Sequence, residues 1–112
     1  MPNYQPALDD LFQALADPTR RAVVERLARG PVPTLELARP FAMALPSFTQ
    51  HLGVLEKSGL VRSRKEGRVR TWELAPGRLA TAERWLATRR ARWERRLDQL
   101  DNYLETLKEK KP

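Results

Sequence analysis

Apolar residues recur along this chain at helical intervals, in runs punctuated by proline and glycine. Leu8, Leu11, Phe12 and Leu15 stand at i, i+3, i+4 and i+7, one face of a helix that must end before Pro18, because the residue preceding a proline avoids helical backbone. Asp17-Pro18 starts a second helix: the carboxylate can accept backbone N–H bonds at the cap, and proline suits the first helical position. It runs to about Arg29, burying Val23, Val24 and Leu27, and Gly30-Pro31 stops it. Thr34 is expected to cap a short third helix carrying Leu35, Leu37 and Ala38, ended or bent by Pro40. Phe41 and Met43 lie in the connection that follows and are expected to anchor it to the core.

The stretch 46–61 (PSFTQHLGVLEKSGLV) organises the rest. Phe48, Leu52 and Leu55 form its inward stripe, while Ser47, Gln50, His51, Val54 and Lys57 face outward. Pro46 is tolerated in a first turn and Gly59 supplies the left-handed residue that commonly follows a last turn. Residues 60–74 then read as a β-hairpin turning at Glu66-Gly67, with Trp72 and Leu74 pinning it to the core. A short link between the third and fourth helices is what a helix-turn-helix requires. From Pro76 or Gly77 onward a last helix carries Leu79, Ala82, Leu86, Trp93, Leu97, Leu100, Leu104 and Leu107. From Trp93 the steps are 4, 3, 4 and 3, a heptad stripe seeking a partner helix, although the pattern leaves open a break near 88–92. The predicted fold is mainly α: a winged helix-turn-helix with four N-terminal helices, a two-stranded hairpin wing and a long C-terminal helix. Residues 1–75 form the DNA-binding part and 76–112 the dimerisation helix of one domain. The expected homodimer interface comprises Leu8, Leu11, Phe12, Trp93, Leu97, Leu100, Leu104 and Leu107.

Charge sharpens this picture. The 112 residues carry 21 basic and 14 acidic side chains, for a net +7. Residues 1–42 are balanced, whereas between 57 and 70 six basic residues face Glu66 alone. A polyanion is the implied partner, and a polar-faced helix beside a basic hairpin points to double-stranded DNA, read in the major groove with a wing alongside. Cysteine is absent, which excludes disulfides, thiolate metal sites and cysteine nucleophiles. Residues 1–6 are too short and polar for a leader, and no apolar run approaches a membrane span, so a cytoplasmic, nucleoid-associated protein is expected.

Gln50 is the leading base reader, because its amide presents a donor and an acceptor together to adenine; the alternative is a solvated surface glutamine. Ser47 offers a hydroxyl to a phosphate or base edge. Thr49 lies beside the buried stripe, where bonding its own helix competes with DNA contact. His51, the sole histidine, cannot build a histidine metal site and has no evident nucleophile to serve, which leaves a structural role or a phosphate contact. Lys57 is expected on the DNA surface of the helix, and on the hairpin Arg62, Arg64, Lys65, Arg68 and Arg70 are expected phosphate contacts, with Arg68 near enough to the tip to enter a minor groove; alternatively, one or two of the hairpin charges simply protect a strand edge. Trp85 and Trp93 read as packing or as an effector pocket, and nothing else indicates a small-molecule effector. Arg89, Arg90, Arg92, Arg95 and Arg96 form a basic run whose default is a solvated face, the alternatives being contact with DNA flanks or pairing with acidic residues such as Asp9, Asp10 and Asp98. No phosphate loop, metal cluster or nucleophile with a base can be assembled, so neither cofactor nor enzyme activity is expected.

In this order of elements the chain resembles the ArsR-like family of dimeric winged-helix transcriptional repressors. The resemblance rests on ALADPTRRAVVERL (14–27), on PFAMALPSFTQHLGVLEKSGLV (40–61) with its H-L-x-x-L-x-x-x-G-L-V core, on the wing from Gly67-Arg68 through Trp72 and Leu74, and on the W-x7-W-x3-L-D-x-L pattern of Trp85, Trp93, Leu97, Asp98 and Leu100. It implies operator occlusion by a dimer and places His51 at the edge of the DNA surface. The chain departs from the family at Ala44, where a capping serine is common, and it lacks the cysteine pair or the last-helix histidines of the metal-sensing members. It therefore looks like the branch without metal ligands. A non-specific architectural DNA binder and a protein-interaction adaptor remain as alternatives.

Overall fold

The computed structural model describes residues 6–110; residues 1–5, most of the stretch considered above as a leader, lie outside these. Two helices, α1 (Pro6–Leu15) and α2 (Pro18–Leu27), precede a two-residue strand β1 (Val32–Pro33), a short α3 (Thr34–Ala38) and the longer α4 (Leu45–Lys57). The strands β2 (Val61–Glu66) and β3 (Val69–Leu74) follow, and α5 (Pro76–Glu109) ends the described chain. Two compact units are present, Met1–Thr81 and Ala82–Pro112, and the division falls inside α5.

The first unit is built on the predicted stripes. Leu11, Ala14, Val23, Phe48, Leu52 and Leu55 are all 0% exposed, with α1 packed against α2 and α4. Burying such a side chain contributes roughly 1.5–3 kcal/mol, so the inner face of α1 is committed to its own chain. This corrects part of the expected dimer interface: Leu8 and Leu11 belong to the protomer's core, while Phe12 is half-buried. Val24, expected in that core, is likewise only half-buried.

The sheet has three strands rather than two, in the order β1-β3-β2, all antiparallel. β1 adds the pairs Val32↔Trp72 and Pro33↔Thr71 at the root of the wing. Thr34 explains why. Instead of capping α3, whose N-cap is Pro33 without a side-chain bond, its hydroxyl donates to the Arg70 carbonyl (3.1 Å) and accepts from Trp72 Nε1 (2.8 Å). The buried indole needs a partner for its N–H, and this one fastens the wing to the start of α3. The hairpin turns at Gly67-Arg68, one residue later than predicted, because Glu66 pairs with Val69 and Gly67 takes φ +63°, open to a residue without Cβ.

Candidate nucleic-acid interface

The helix α4 begins at Leu45, one residue before the predicted Pro46, and its N-cap Ala44 makes no side-chain bond. In place of a cap, the preceding link is held by ring packing: Phe41 and Phe48 lie 5.2 Å apart, centroid to centroid. The other end is closed by a Schellman motif, with Gly59 N–H donating to the Glu56 carbonyl (3.0 Å) and Leu60 N–H to that of Leu55 (3.1 Å). The buried Ser58 hydroxyl also donates to Leu55, at 2.7 Å. Between these ends, the stripe Phe48, Leu52 and Leu55 turns inward, and Ser47, Gln50, Val54 and Lys57 are exposed at steps of 3, 4 and 3 along one face. Thr49 is exposed too, but its hydroxyl donates to the Pro46 carbonyl at 2.9 Å, the helix-bonding alternative.

The wing's cations fall into two groups that the sequence cannot separate. Arg62 Nε lies 3.1 Å from Glu73 Oε1, and Arg64 reaches both Glu66 (3.2 Å) and Glu73 (3.8 Å). Arg70 donates to Ser63 Oγ (2.8 Å), and Ser63 in turn to Glu56 of α4 (3.1 Å). Lys65 and Arg68 near the tip, and Lys57 on α4, have no ion pair or side-chain hydrogen bond among the described residues. Exposed ion pairs are worth about 0–1 kcal/mol, so a phosphate can take Arg62 and Arg64 from Glu73 at little cost, whereas Lys65 and Arg68 have nothing to give up.

His51 sits apart from the exposed face, with its side chain 23% exposed. Its Nδ1 lies 3.1 Å from Arg20 and 3.8 Å from Asp17. Arg20 also donates to the carbonyls of Ala14 (2.7 Å) and Gln13 (3.2 Å), which ties the end of α1, the start of α2 and the middle of α4 together. Asp17 caps α2 as the sequence indicated, accepting from Arg20 N–H at 3.1 Å. That bond, reinforced by the nearby His51 and by the Arg20 charge, holds its carboxyl below the usual carboxylate range despite partial desolvation. Arg20 is marked in the sequence only by its sign: a cation in the first turn of a helix opposes the macrodipole and calls for a specific partner.

In the second unit α5 is unbroken through 88–92. Its 34 residues span about 50 Å at 1.5 Å per residue. Trp93 (65% exposed), Leu97, Leu100, Leu104 and Leu107 stand open along it at heptad steps. The Arg89 guanidinium lies 4.6 Å from the Trp85 ring centroid, a cation–π contact. Arg90, Arg92, Arg95 and Arg96 are held by no ion pair among the described residues. Among the described residues no helix is long and apolar enough to cross a membrane, and no group of three or more His, Cys, Asp or Glu side chains could hold a metal ion.

Known proteins share this arrangement. Residues 15–64 match a helix-turn-helix domain family. The HTH-type transcriptional regulator Rv2034 of Mycobacterium tuberculosis is 50% identical over 72 residues, 64% of this chain and 67% of that protein. The transcriptional repressor SdpR of Bacillus subtilis is 25% identical over 79 residues, 70% of this chain and 88% of its own. Among solved structures, the ArsR family transcriptional regulator RHA00566 superposes with a TM-score of 0.77 at 52% identity, covering 84% of this chain and 97% of that one. With the exposed polar face of α4 beside a cationic wing, these similarities make the chain a DNA-binding transcriptional regulator of the ArsR-like winged-helix family.

Proposed function

We propose that the protein is a homodimeric repressor that occupies a near-palindromic operator and occludes the promoter, working in the cytoplasm at the nucleoid. The observation that carries this reading is the open stripe from Trp93 to Leu107, five large apolar side chains at heptad spacing that one chain leaves in water. A second copy of α5 is the economical cover, because an isologous contact buries the same stripe on both protomers and sets two α4 helices about a two-fold axis.

On each protomer Ser47 and Gln50 meet base edges or phosphates, with Thr49 and His51 at the margin. Lys57, Lys65 and Arg68 meet the phosphate backbone first, and Arg62, Arg64 and Arg70 follow by exchanging their internal partners for it. Repression, rather than activation, is supported by the likeness to SdpR, a transcriptional repressor.

Selection of bound sequences from a random duplex pool, coupled to native mass measurement of the complex, tests the reading. The expected result is a two-fold-symmetric consensus bound by two chains and preferred over random DNA by roughly a thousandfold or more. A monomeric complex or a pool without consensus overturns it.

A further inference from the structure

The contact between Arg20 and His51 fixes more than a position. A guanidinium has five N–H donors and no acceptor, so at 3.1 Å the Nδ1 of His51 must be the acceptor. In the neutral ring the single proton then resides on Nε2. Arg20 itself has little freedom to adopt another arrangement, because Nε and the second terminal nitrogen are engaged by Ala14 and Gln13. These carbonyls lie in the last turn of α1, where a positive charge is favoured. The single histidine of the chain is thus held one step after Gln50 on α4, in one tautomer, by a residue of a different helix.

We propose that Arg20 is a positioning residue for DNA recognition: it locks His51 as the Nε2–H tautomer, so that α4 offers a preset N–H donor to a backbone phosphate oxygen. This rests on the reading that α4 faces the duplex and adds a specific chemical state to it. A tautomer fixed before binding leaves no proton to be rearranged as the phosphate arrives. Asp17 Oδ2, 3.8 Å from the same Nδ1, is the other charged group beside this nitrogen among the described residues, and it also accepts the Arg20 amide. Asp10 and Lys57 share with Arg20 a cleft of about 310 Å³.

Because His51 is the sole histidine, nitrogen-15 NMR of the ring reads its tautomer without assignment ambiguity. In the DNA-free protein with the ring neutral, the expected spectrum shows Nδ1 unprotonated and Nε2 protonated. Arg20→Lys, which keeps the charge but loses the fork, is expected to return the ring to a mixture of tautomers while circular dichroism and melting show a folded chain. On duplex DNA, Arg20→Lys and His51→Leu should each weaken binding about tenfold, the scale of one charge-assisted hydrogen bond. The double variant should be no weaker than His51→Leu alone, and His51→Gln, which retains an acceptor and a donor, should recover most of the loss. A protonated Nδ1, or additive losses in the double variant, overturns the proposal. If the spectrum is as expected yet no variant binds DNA differently from the wild type, the tautomer lock stands and its role toward phosphate is overturned. Loss of all DNA binding by the wild type would instead discredit the interface reading.

Discussion

Gly59 and Arg78 meet where α4 gives way to the wing: a β-carbon placed on Gly59 would lie 2.7 Å from Arg78 Cγ. Gly59 also adopts φ +82°, the conformation that lets the Schellman motif close. Of these two constraints the backbone one dominates, since an arginine stem can swing aside but the left-handed conformation costs a non-glycine residue about 1–2 kcal/mol. Gly59→Ala is therefore expected to lower unfolding free energy by about that amount in urea titrations, and adding Arg78→Ala should restore little of it. Full recovery in the double variant would show that crowding, not backbone conformation, sets the cost.

The two classes of wing cation predict different responses. Replacing both Lys65 and Arg68 by alanine should reduce the slope of log affinity against log salt by about 1.8, or 0.9 per phosphate contact, and weaken all duplexes alike. Glu73→Gln should do the reverse. It releases Arg62 and Arg64 from their shared carboxylate, so affinity for random DNA is expected to rise. Fluorescence anisotropy across a salt series checks both.

Gln50→Ala bears on specificity instead. If its amide reads a base, the variant should lose about 1–3 kcal/mol on the preferred operator and almost nothing on DNA altered at the contacted pair. An unchanged ranking of operator variants would remove Gln50 from the reading set.

Acid stability offers a further check. The folded-state pKa of Asp17 is depressed, so its contribution is complete above the ordinary carboxylate value of 3.8 and fades as pH falls through the lower folded value. Asp17→Asn should flatten the loss of stability on the acid side of about pH 4 and leave the slope near neutrality untouched. Denaturant midpoints measured from pH 2 to 7 would show it.

Leu97→Glu combined with Leu104→Glu places charge in the open stripe of α5 without touching the core of the first unit. The expected product is a folded monomer by light scattering that has lost its operator preference. Retention of a dimer would move the interface elsewhere.

How far the chain could be read in advance varies from element to element. α1, α2 and α4 were legible because each carries a periodic stripe between a proline start and a glycine or proline stop. β1 was not: two residues, one of them proline, hold no alternation, and what makes them a strand is their distant pairing with Trp72 and Thr71, beside the Thr34 hydroxyl that holds the Trp72 indole. The same hydroxyl misled the reading of α3, since a threonine before a helix resembles a cap until a buried indole claims it. Leu11 and Leu97 occupy equally regular stripes, yet one is sealed by its own chain and the other lies open. Periodicity shows that a face must be covered, not by which chain. On the surface, Arg62 and Arg68 look alike in the sequence because carboxylate partners are chosen by cross-strand register, which sets Arg62 opposite Glu73 and leaves Arg68 in the turn.

The packing of Phe41 against Phe48 has an evolutionary corollary. It ties the bridge between α3 and α4 to the buried stripe of the second helix, so re-aiming that helix through the bridge would disturb a packed ring. New operator preferences are more cheaply reached by exchanging side chains at 47, 50, 54 and 57, positions that touch water on this protomer. The scaffold thereby separates what must stay from what is free to diverge, and a lineage can change its target genes while its architecture holds still.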